Sequence, residues 1–299
     1  MLSDFLLQFK NEISFFNLFE YLTFKTAISA ITALIISFII GPITIKKLQQ
    51  YQIGEEIRNN GPESHLAKRG TPTMGGVIII LSTLLPTLLF SDLSNIMVLI
   101  IALSTLWMGV IGFIDDYLKI IIKAKDGMIA RYKMVGQILL GVIISYAIIN
   151  SNDFNGFNTK TTIPFFKNFE FDFGIFYPLL VILVITATSN AVNLTDGLDG
   201  LAIGLLAICF TVFTAISYIS GRVDFSDYLN ILYLPKASEL SIFASAAVGA
   251  CLGFLWFNSS PAEIFMGDTG SLSLGAALGT MSILLKKELL LFIIGGVFV

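Results

Sequence analysis

The sequence predicts an all-α, polytopic integral membrane protein, and three features support this fold class. Hydrophobic residues make up 55% of the chain and charged residues 13%, about half of the charged fraction typical of soluble domains. The mean hydropathy is +0.84. Apolar runs recur along the whole chain, many of them close to the roughly 20 residues that a helix needs to cross a bilayer. Because a helix satisfies its own backbone hydrogen bonds in lipid, these runs predict transmembrane helices.

The apolar runs predict about nine transmembrane helices in the 299 residues. In chain order they cover 22–43, 75–90, 96–114, 134–149, 174–189, 201–219, 240–257 and 272–285, and the ninth begins near Leu289. The longest polar connections are 46–71, 115–133, 150–172 and 220–238. Since we find no soluble region and no internal repeat, we expect residues 1–299 to form a single transmembrane domain.

Lysine and arginine are concentrated in alternate loops, which predicts the orientation of the chain. Five lie between the first and second helices and five between the third and fourth, whereas the three loops of opposite parity before the seventh helix hold none, two and two. We therefore expect the two basic loops to be cytoplasmic and the N-terminus to be periplasmic. The same parity places the loops at 190–200 and 258–270 on the cytoplasmic side.

The stretch 190–204, NAVNLTDGLDGLAIG, carries carboxylates and amides at a membrane boundary without a lysine or arginine. Asn193, Asp196 and Asp199 recur every third residue, so on a helix they would form one stripe. Uncompensated acidic groups near a membrane are costly and indicate a ligand or cation site. The alternative is a solvated turn in which Asp-Gly is turn chemistry.

The third predicted helix ends in GFIDDY at 112–117. Asp115 and Asp116 point about 100° apart on a helix, which favours two distinct roles over one shared proton. Lys119 and Lys123 follow Asp115 at four-residue spacing, so intrahelical ion pairs on a solvated face are the alternative interpretation.

Two further stretches on the predicted cytoplasmic side combine charge with glycine. The run 65–76, HLAKRGTPTMGG, places basic residues and hydroxyls before a helix, a pattern that suits an anion; the alternative is a positive-inside anchor followed by a glycine-rich helix start. In 258–271, NSSPAEIFMGDTGS, Asp268 is either a helix N-cap or a ligand for a hard cation such as Mg²⁺. Phe265 offers a stacking surface for a planar base. Together, carboxylates and lysines gathered on one side of the membrane favour phosphoryl transfer from a soluble donor to a lipid acceptor.

Four motifs in this order and spacing resemble the phospho-N-acetylmuramoyl-pentapeptide transferases, a branch of the polyprenyl-phosphate N-acetylhexosamine-1-phosphate transferases. The matching stretches are KRGTPTMGG at 68–76, GFIDDY at 112–117, NAVNLTDGLDGLAIG at 190–204 and FMGDTGS at 265–271. The resemblance covers nearly the whole chain, and the KRGTPTMGG form favours the muramoyl-pentapeptide branch over the N-acetylglucosamine-phosphate branch.

The resemblance implies transfer of phospho-MurNAc-pentapeptide from UDP-MurNAc-pentapeptide to undecaprenyl phosphate, giving lipid I and UMP with Mg²⁺. It implies that Asp268 binds the metal, and we add Asp115 as a second ligand. The implied catalytic residues are Asp115, Asp116, Asp268, Lys68 and Lys133. The substrate-binding residues that we assign are Thr73, Asn190, Asn193, Asp196, Lys119 and Lys123, with Gly197, Leu198, Asp199, Asn258 and Phe265 around the uridine. We favour direct attack by the lipid phosphate, with Asp115 as base, over a phospho-aspartate intermediate.

The resemblance also implies a multi-pass protein of the bacterial inner membrane, with its active site on the cytoplasmic face. It implies contact with membrane lipid and no nucleic-acid partner, and it is compatible with a homodimer. Members of that family continue past 295–299 through a broken ninth helix, a His-rich loop and a tenth helix. We therefore expect an incomplete chain, which puts its activity in this form in question.

Three other interpretations remain open at this point. A sister transferase that uses UDP-N-acetylglucosamine would differ mainly in sugar recognition. A cation-coupled secondary transporter would also bury carboxylates, but its sites lie near the midplane and its halves are often inverted repeats. A non-catalytic relative of the transferases is the third.

Overall fold

The computed structural model describes residues 2–50, 71–124, 127–154, 156–164, 166 and 170–298, and it is almost entirely helical. The helices are α1 (Leu2–Leu7), α2 (Leu22–Gln50), α3 (Gly76–Phe90), α4 (Ile96–Ile120), α5 (Ala130–Ile149), α6 (Tyr177–Thr195), α7 (Leu201–Ser220), α8 (Val223–Leu229), α9 (Leu240–Asn258), α10 (Gly267–Leu284) and α11 (Glu288–Ile294). Short 3₁₀ turns cover Ser14–Glu20, Gly174–Phe176, Ala237–Glu239 and Gly295–Phe298. Strands β1 (Lys160–Thr162) and β2 (Glu170–Asp172) pair antiparallel, with Thr161 opposite Phe171.

A helix occupies each of the nine predicted apolar segments, which confirms a polytopic helical membrane protein. Within the described ranges, six helices are long and apolar enough to cross a bilayer: α2, α4, α5, α6, α7 and α9, with α6 and α9 extended by the preceding 3₁₀ turn. Helix α3 and the segment Glu288–Phe298 are apolar but shorter. The polar connections 150–172 and 220–238 contain the β-hairpin and α8 respectively.

Helices α9 and α10 form the centre of the bundle. Helix α10 packs against α3, α4 and α6, and α9 packs against α2, α3 and α7. Every residue from Thr269 to Leu284 is buried. The sequence of α10 is rich in glycine, alanine and serine, and small side chains allow helices to approach closely in a membrane. By contrast, Ile31, Ile35 and Ile39 form an exposed stripe on α2, the pattern expected of a lipid-facing surface.

Because successive long helices run in alternate directions, the bundle has two distinct ends. We call the end that carries 71–76, 112–117, 190–200 and 258–268 the motif end, because the described parts of the predicted motifs meet there. The opposite end, which carries the β1–β2 hairpin, is the hairpin end. The motif end is the one that we predict to be cytoplasmic.

Candidate active site

The first turn of α10 is capped by a side chain from another helix. Asp116 of α4 accepts the backbone N–H of Asp268 at 3.1 Å through Oδ1. Its Oδ2 accepts the N–H of Thr269 at 2.9 Å and the Thr269 hydroxyl at 2.6 Å. Free N–H groups at a helix start need such acceptors, and a carboxylate there also suits the helix dipole. Asp268 lies inside the first turn, and the N-cap residue is Met266, so the interpretation of Asp268 as an N-cap is wrong.

Two glycines bring the backbones of α3 and α4 against the start of α10. A Cβ atom at Gly112 would overlap the carbonyl oxygen of Asp268, and one at Gly76 would overlap the backbone nitrogen of Gly270. Both glycines belong to the motifs 68–76 and 112–117. The absence of a side chain at Gly112 is thus what allows α4 to place its two aspartates beside α10.

Four charged side chains form an alternating ring at the motif end, which we call the lysine–carboxylate cluster. Lys119 Nζ lies 2.6 Å from Asp115 Oδ2 and 3.0 Å from Asp268 Oδ2. Lys133 Nζ lies 2.7 Å from Asp115 Oδ2 and 2.6 Å from Asp268 Oδ2. The second oxygen of Asp115 accepts the N–H of Met128 at 2.6 Å. Helices α4, α5 and α10 therefore each contribute charge to one point.

The cluster balances two ammonium groups with two carboxylates where water has limited access. The Asp115 side chain is fully buried, and the side chains of Asp268 and Lys133 are 14% and 21% exposed. Removing one partner of a buried ion pair leaves an uncompensated charge and costs about 3–5 kcal/mol. Lys119 is the most open member at 39% exposed, so the cluster communicates with the surface on that side.

Three carboxylates at this end could share a divalent cation. Asp115, Asp116 and Asp268 each offer an oxygen, and these oxygens lie within 4.8 Å of one another. Carboxylate oxygen is the ligand that Mg²⁺ prefers, so the donor set fits the predicted metal. Both oxygens of Asp116 accept hydrogen bonds from the backbone of α10. Oδ2 of Asp115 and Oδ2 of Asp268 instead contact lysine ammonium groups, which a cation could displace, and this favours Asp115 and Asp268 as the ligands.

Asn193 is the residue of the 190–204 stretch that reaches the cluster. Its Nδ2 donates to Asp268 Oδ1 at 2.8 Å and to Ser271 Oγ at 2.8 Å. The predicted helical stripe through Asn193, Asp196 and Asp199 is wrong, because α6 ends at Thr195 and Asp196 leaves helical geometry with ψ 41°. The Asp-Gly sequence at 196–197 starts the turn that separates α6 from α7, as the alternative interpretation expected.

The remaining predicted substrate residues occupy the loops around the cluster. Thr73 is buried, and a Cβ on Gly267 would lie 2.9 Å from its hydroxyl. Asn190 is exposed and its Nδ2 donates to its own helix at Thr186 O, 2.8 Å away. Lys123 is exposed and follows the end of α4 with φ +56°. The predicted catalytic residue Lys68 lies outside the described residues.

The residues expected around the uridine lie on two loops joined by Asn258. This buried side chain accepts the N–H of Gly200 at 3.0 Å and donates to Ile264 O at 2.8 Å. It therefore holds the 196–200 turn against the 259–266 loop. On the surface of these loops, Gly197 and Leu198 are exposed, and Asp199 and Phe265 are partly buried.

Sequence reasoning missed two hydroxyl residues of this site. Thr269 donates to Asp116, and Ser271 accepts from Asn193. Both stand in the FMGDTGS stretch directly after Asp268. The sequence does contain a signal for them, since both hydroxyls follow the candidate ligand Asp268 by one and three residues. At the start of a helix, residues at that spacing lie in or next to the same first turn.

A polytopic helical bundle with lysines and carboxylates gathered at one end offers the charged groups that transfer of a phosphate group requires. A transferase class is supported by comparison, since residues 98–286 match the model described as glycosyl transferase family 4. Residues 68–80 match the model described as phospho-N-acetylmuramoyl-pentapeptide-transferase signature 1.

Curated relatives specify the family further. The phospho-N-acetylmuramoyl-pentapeptide-transferase of Desulforapulum autotrophicum is 48% identical over 299 residues, which cover 100% of this chain and 82% of the relative. That of Citrifermentans bemidjiense is 49% identical, covering 100% and 83%, and that of Geobacter sp. (strain M21) is 50% identical, covering 95% and 78%. The chain belongs to the phospho-N-acetylmuramoyl-pentapeptide-transferase family, and the resemblance drawn from the motifs is confirmed.

Proposed function

We propose that the chain transfers phospho-MurNAc-pentapeptide from UDP-MurNAc-pentapeptide to undecaprenyl phosphate, forming lipid I and UMP. The observation that carries this proposal is the lysine–carboxylate cluster, which lies at one end of an apolar bundle in a chain about half identical to transferases of that name. A soluble nucleotide donor can reach such a site from one aqueous side, while the lipid acceptor arrives through the bilayer. The motif end would accordingly face the cytoplasm in a bacterial inner membrane.

The groups in the cluster suit a reaction between two phosphate-bearing substrates. Asp115 and Asp268 would hold Mg²⁺, which would neutralise the charge of the donor diphosphate. Lys119 and Lys133 each contact both carboxylates. An oxygen of a substrate phosphate could therefore replace a carboxylate oxygen as the partner of either ammonium group. Asn193 and Asp116 keep Asp268 oriented through its side chain and its backbone.

In the proposed reaction an oxygen of undecaprenyl phosphate attacks the donor phosphorus that bears the sugar. A P–O bond forms there, the P–O bond to the uridine phosphate breaks, and UMP leaves with the electron pair. Asp115 accepts the proton of an acceptor phosphate that arrives protonated, which leaves its oxygen free to attack. The two lysines offset the charge that develops on the leaving group.

An apolar cleft between α6 and α11 is the proposed path for the polyprenyl chain. The cleft has a volume of about 190 Å³. Its lining consists of Val184, Ala187, Thr188 and Ala191 on α6, with Glu288, Leu291, Phe292, Gly295 and Gly296 opposite. Along α6 it ends close to Asn193, the residue that contacts Asp268. An isoprenoid bound in this cleft would therefore direct its phosphate toward the cluster.

The decisive experiment measures radiolabel transfer from a UDP-sugar to undecaprenyl phosphate by the full-length protein. We expect labelled lipid I and stoichiometric UMP from UDP-MurNAc-pentapeptide in the presence of Mg²⁺, and no product with EDTA. Transfer from UDP-N-acetylglucosamine alone would reassign the sugar donor. Cation-coupled uptake into vesicles without UMP release would refute the transferase proposal.

A further inference from the structure

A second group of charged side chains lies at the hairpin end, far along the bundle from the cluster. Lys286 and Glu288 stand at the turn between α10 and α11, and both are buried, with 0% and 1% exposure. Buried lysines and glutamates are rare unless they are paired. The proposed reaction does not use either residue, so their burial calls for another explanation.

Tyr177, the first residue of α6, joins these two charges. Lys286 Nζ donates to the Tyr177 hydroxyl at 2.7 Å, and that hydroxyl donates to Glu288 Oε1 at 3.4 Å. Lys286 Nζ also donates to the carbonyl of Asn158 at 3.0 Å and lies 4.9 Å from the centre of the Phe154 ring. The start of α6 is thereby attached to the start of α11.

The β-hairpin completes the connection. The Thr161 hydroxyl of β1 donates to Glu288 Oε2. The neighbouring Thr162 donates its hydroxyl to the carbonyl of Lys286 at 2.7 Å and accepts from Lys287 Nζ at 3.0 Å. We call Lys286, Tyr177, Glu288 and Thr161 the hairpin-end clamp. All four side chains are almost fully enclosed, so the donors and acceptors satisfy one another without solvent.

A second attachment holds the same two segments near the motif end. The hydroxyl of Thr195, the last residue of α6, lies 2.8 Å from the carbonyl oxygens of both Ala191 and Phe298 and shares its proton between them. The apolar cleft lies between this contact and the hairpin-end clamp, because its lining runs from Val184 to Ala191 and from Glu288 to Gly296. The segments on the two sides of the cleft are therefore attached to each other at both ends, and the lining between these attachments is mostly apolar.

We propose that the hairpin-end clamp positions α11 against α6 and so sets the width of the cleft that receives the polyprenyl chain of the acceptor. Lys286, Tyr177 and Thr161 act as positioning residues, whereas Glu288 also lines the cleft, and none of the four takes part in the chemical step. This inference rests on the proposed function, because it assumes a long-chain lipid acceptor. It predicts that disturbing the clamp weakens acceptor binding and leaves donor binding and the bond-breaking step unchanged.

The test compares Glu288→Gln and Tyr177→Phe with the matched control Glu170→Gln. Glu170 is on the same hairpin and pairs with Lys160 at 3.2 Å, but both side chains are 36% exposed. For the two clamp variants we expect the KM for undecaprenyl phosphate to rise about tenfold with kcat unchanged, the pattern of lost uniform binding. The KM for UDP-MurNAc-pentapeptide should stay at the native value, and the control should be native in all three constants.

A short-chain isoprenyl phosphate separates cleft geometry from general damage. It cannot extend along the cleft, so native protein and clamp variants should use it equally well. Tyr177→Phe keeps the aromatic ring beside Lys286 and loses one hydroxyl, which makes it the milder variant if Glu288→Gln folds poorly. Spin labels at Leu183 of α6 and Phe292 of α11, which are both exposed, should give a broader distance distribution in the clamp variants than in Glu170→Gln.

Four results would overturn the inference: native KM for undecaprenyl phosphate in both clamp variants, an equal rise in the KM of both substrates, a loss confined to kcat, or an unchanged spin-label distribution. A native protein without transferase activity would refute the proposed function itself. In that case direct binding of undecaprenyl phosphate to native and Tyr177→Phe protein still tests the clamp, and equal affinities would refute it.

Discussion

The motif end and the hairpin end of this bundle are built from the same residue types in opposite ways. At the motif end, Lys119 and Lys133 contact one buried and one mostly buried carboxylate, while Lys119 itself is 39% exposed. At the hairpin end, Lys286 and Glu288 are sealed in and bridged by a tyrosine. Burial lowers the pKa of the Lys286 amine to about 8, the expected effect of withdrawing an ammonium group from water.

Access to solvent, rather than charge, distinguishes the lysine–carboxylate cluster from the hairpin-end clamp. In the lysine–carboxylate cluster each lysine contacts two carboxylate oxygens, so an incoming phosphate or cation can exchange with an existing partner at moderate cost. In the hairpin-end clamp every partner is internal, and exchange would require opening the protein. Substitutions of charged residues at the motif end test this distinction.

Among the substitutions at the motif end, Asp268→Asn should lower the rate of transfer most. The substitution removes the proposed metal ligand, and with it a negative charge that pairs with both lysines. A loss of several kcal/mol of charge stabilisation in the transition state corresponds to a rate at least about a thousandfold lower. Radiolabel transfer measures the rate, and size-exclusion chromatography in detergent should show an intact, monodisperse protein. Full turnover of Asp268→Asn would remove the metal assignment.

Asp116→Asn should reduce both the stability of the protein and the rate of transfer. The loss of stability would report the capping contacts of Asp116, which are distinct from the proposed metal binding by Asp268. The amide retains one oxygen for α10 but loses the charge, and loss of a helix cap costs about 1 kcal/mol. We expect a lower Tm with a rate roughly ten- to a hundredfold lower, since Asp268 is then less well oriented. Thermal unfolding followed by transfer assays checks both. A native Tm with complete loss of activity would give Asp116 a direct chemical role instead.

Lys133→Ala should weaken transfer and lower the stability of the protein without preventing folding, because one excess negative charge remains in the cluster. Lys119 remains to pair with Asp115 and Asp268, so the buried carboxylates are not left without a cation. A rate about ten- to a hundredfold lower is expected for one lost electrostatic contact to a reacting phosphate. Lys133→Arg, which keeps the charge, is the matched control and should recover part of the rate. Loss of expression in Lys133→Ala would indicate a structural role.

Lys123→Ala should have the smallest effect. The side chain is exposed beyond the end of α4, where salt and solvent screen its charge and an ionic contact contributes about 0–1 kcal/mol. We expect the KM for the nucleotide donor to rise about two- to threefold at low ionic strength, and the difference to disappear at high salt. An effect as large as that of Lys133→Ala would place Lys123 in direct contact with the substrate.

Much of the candidate site was predictable because its charged residues lie at the ends of apolar helices, and the order of these helices along the chain predicts that those ends share one side. The prediction that Asp115 and Asp116 have separate partners agrees with the structure, since one contacts lysines and the other caps α10. The helical stripe through Asp196 was wrong, because spacing alone does not reveal where a helix ends. The cap from Asp116 to Thr269 joins residues 153 positions apart, a relation that periodicity cannot indicate.

The sequence by itself determined the class of this protein, because the energy of apolar segments in a bilayer depends on composition and length, and both are written in the chain. It also indicated that carboxylates and lysines gather at one end of the bundle, as the structure shows. The tertiary structure alone decided which carboxylate meets which lysine, and that Tyr177, Lys286 and Glu288 meet at all. Such contacts depend on how helices far apart in the chain pack together, and the packing depends on small residues such as Gly112 whose effect appears only when the neighbouring helix is in place.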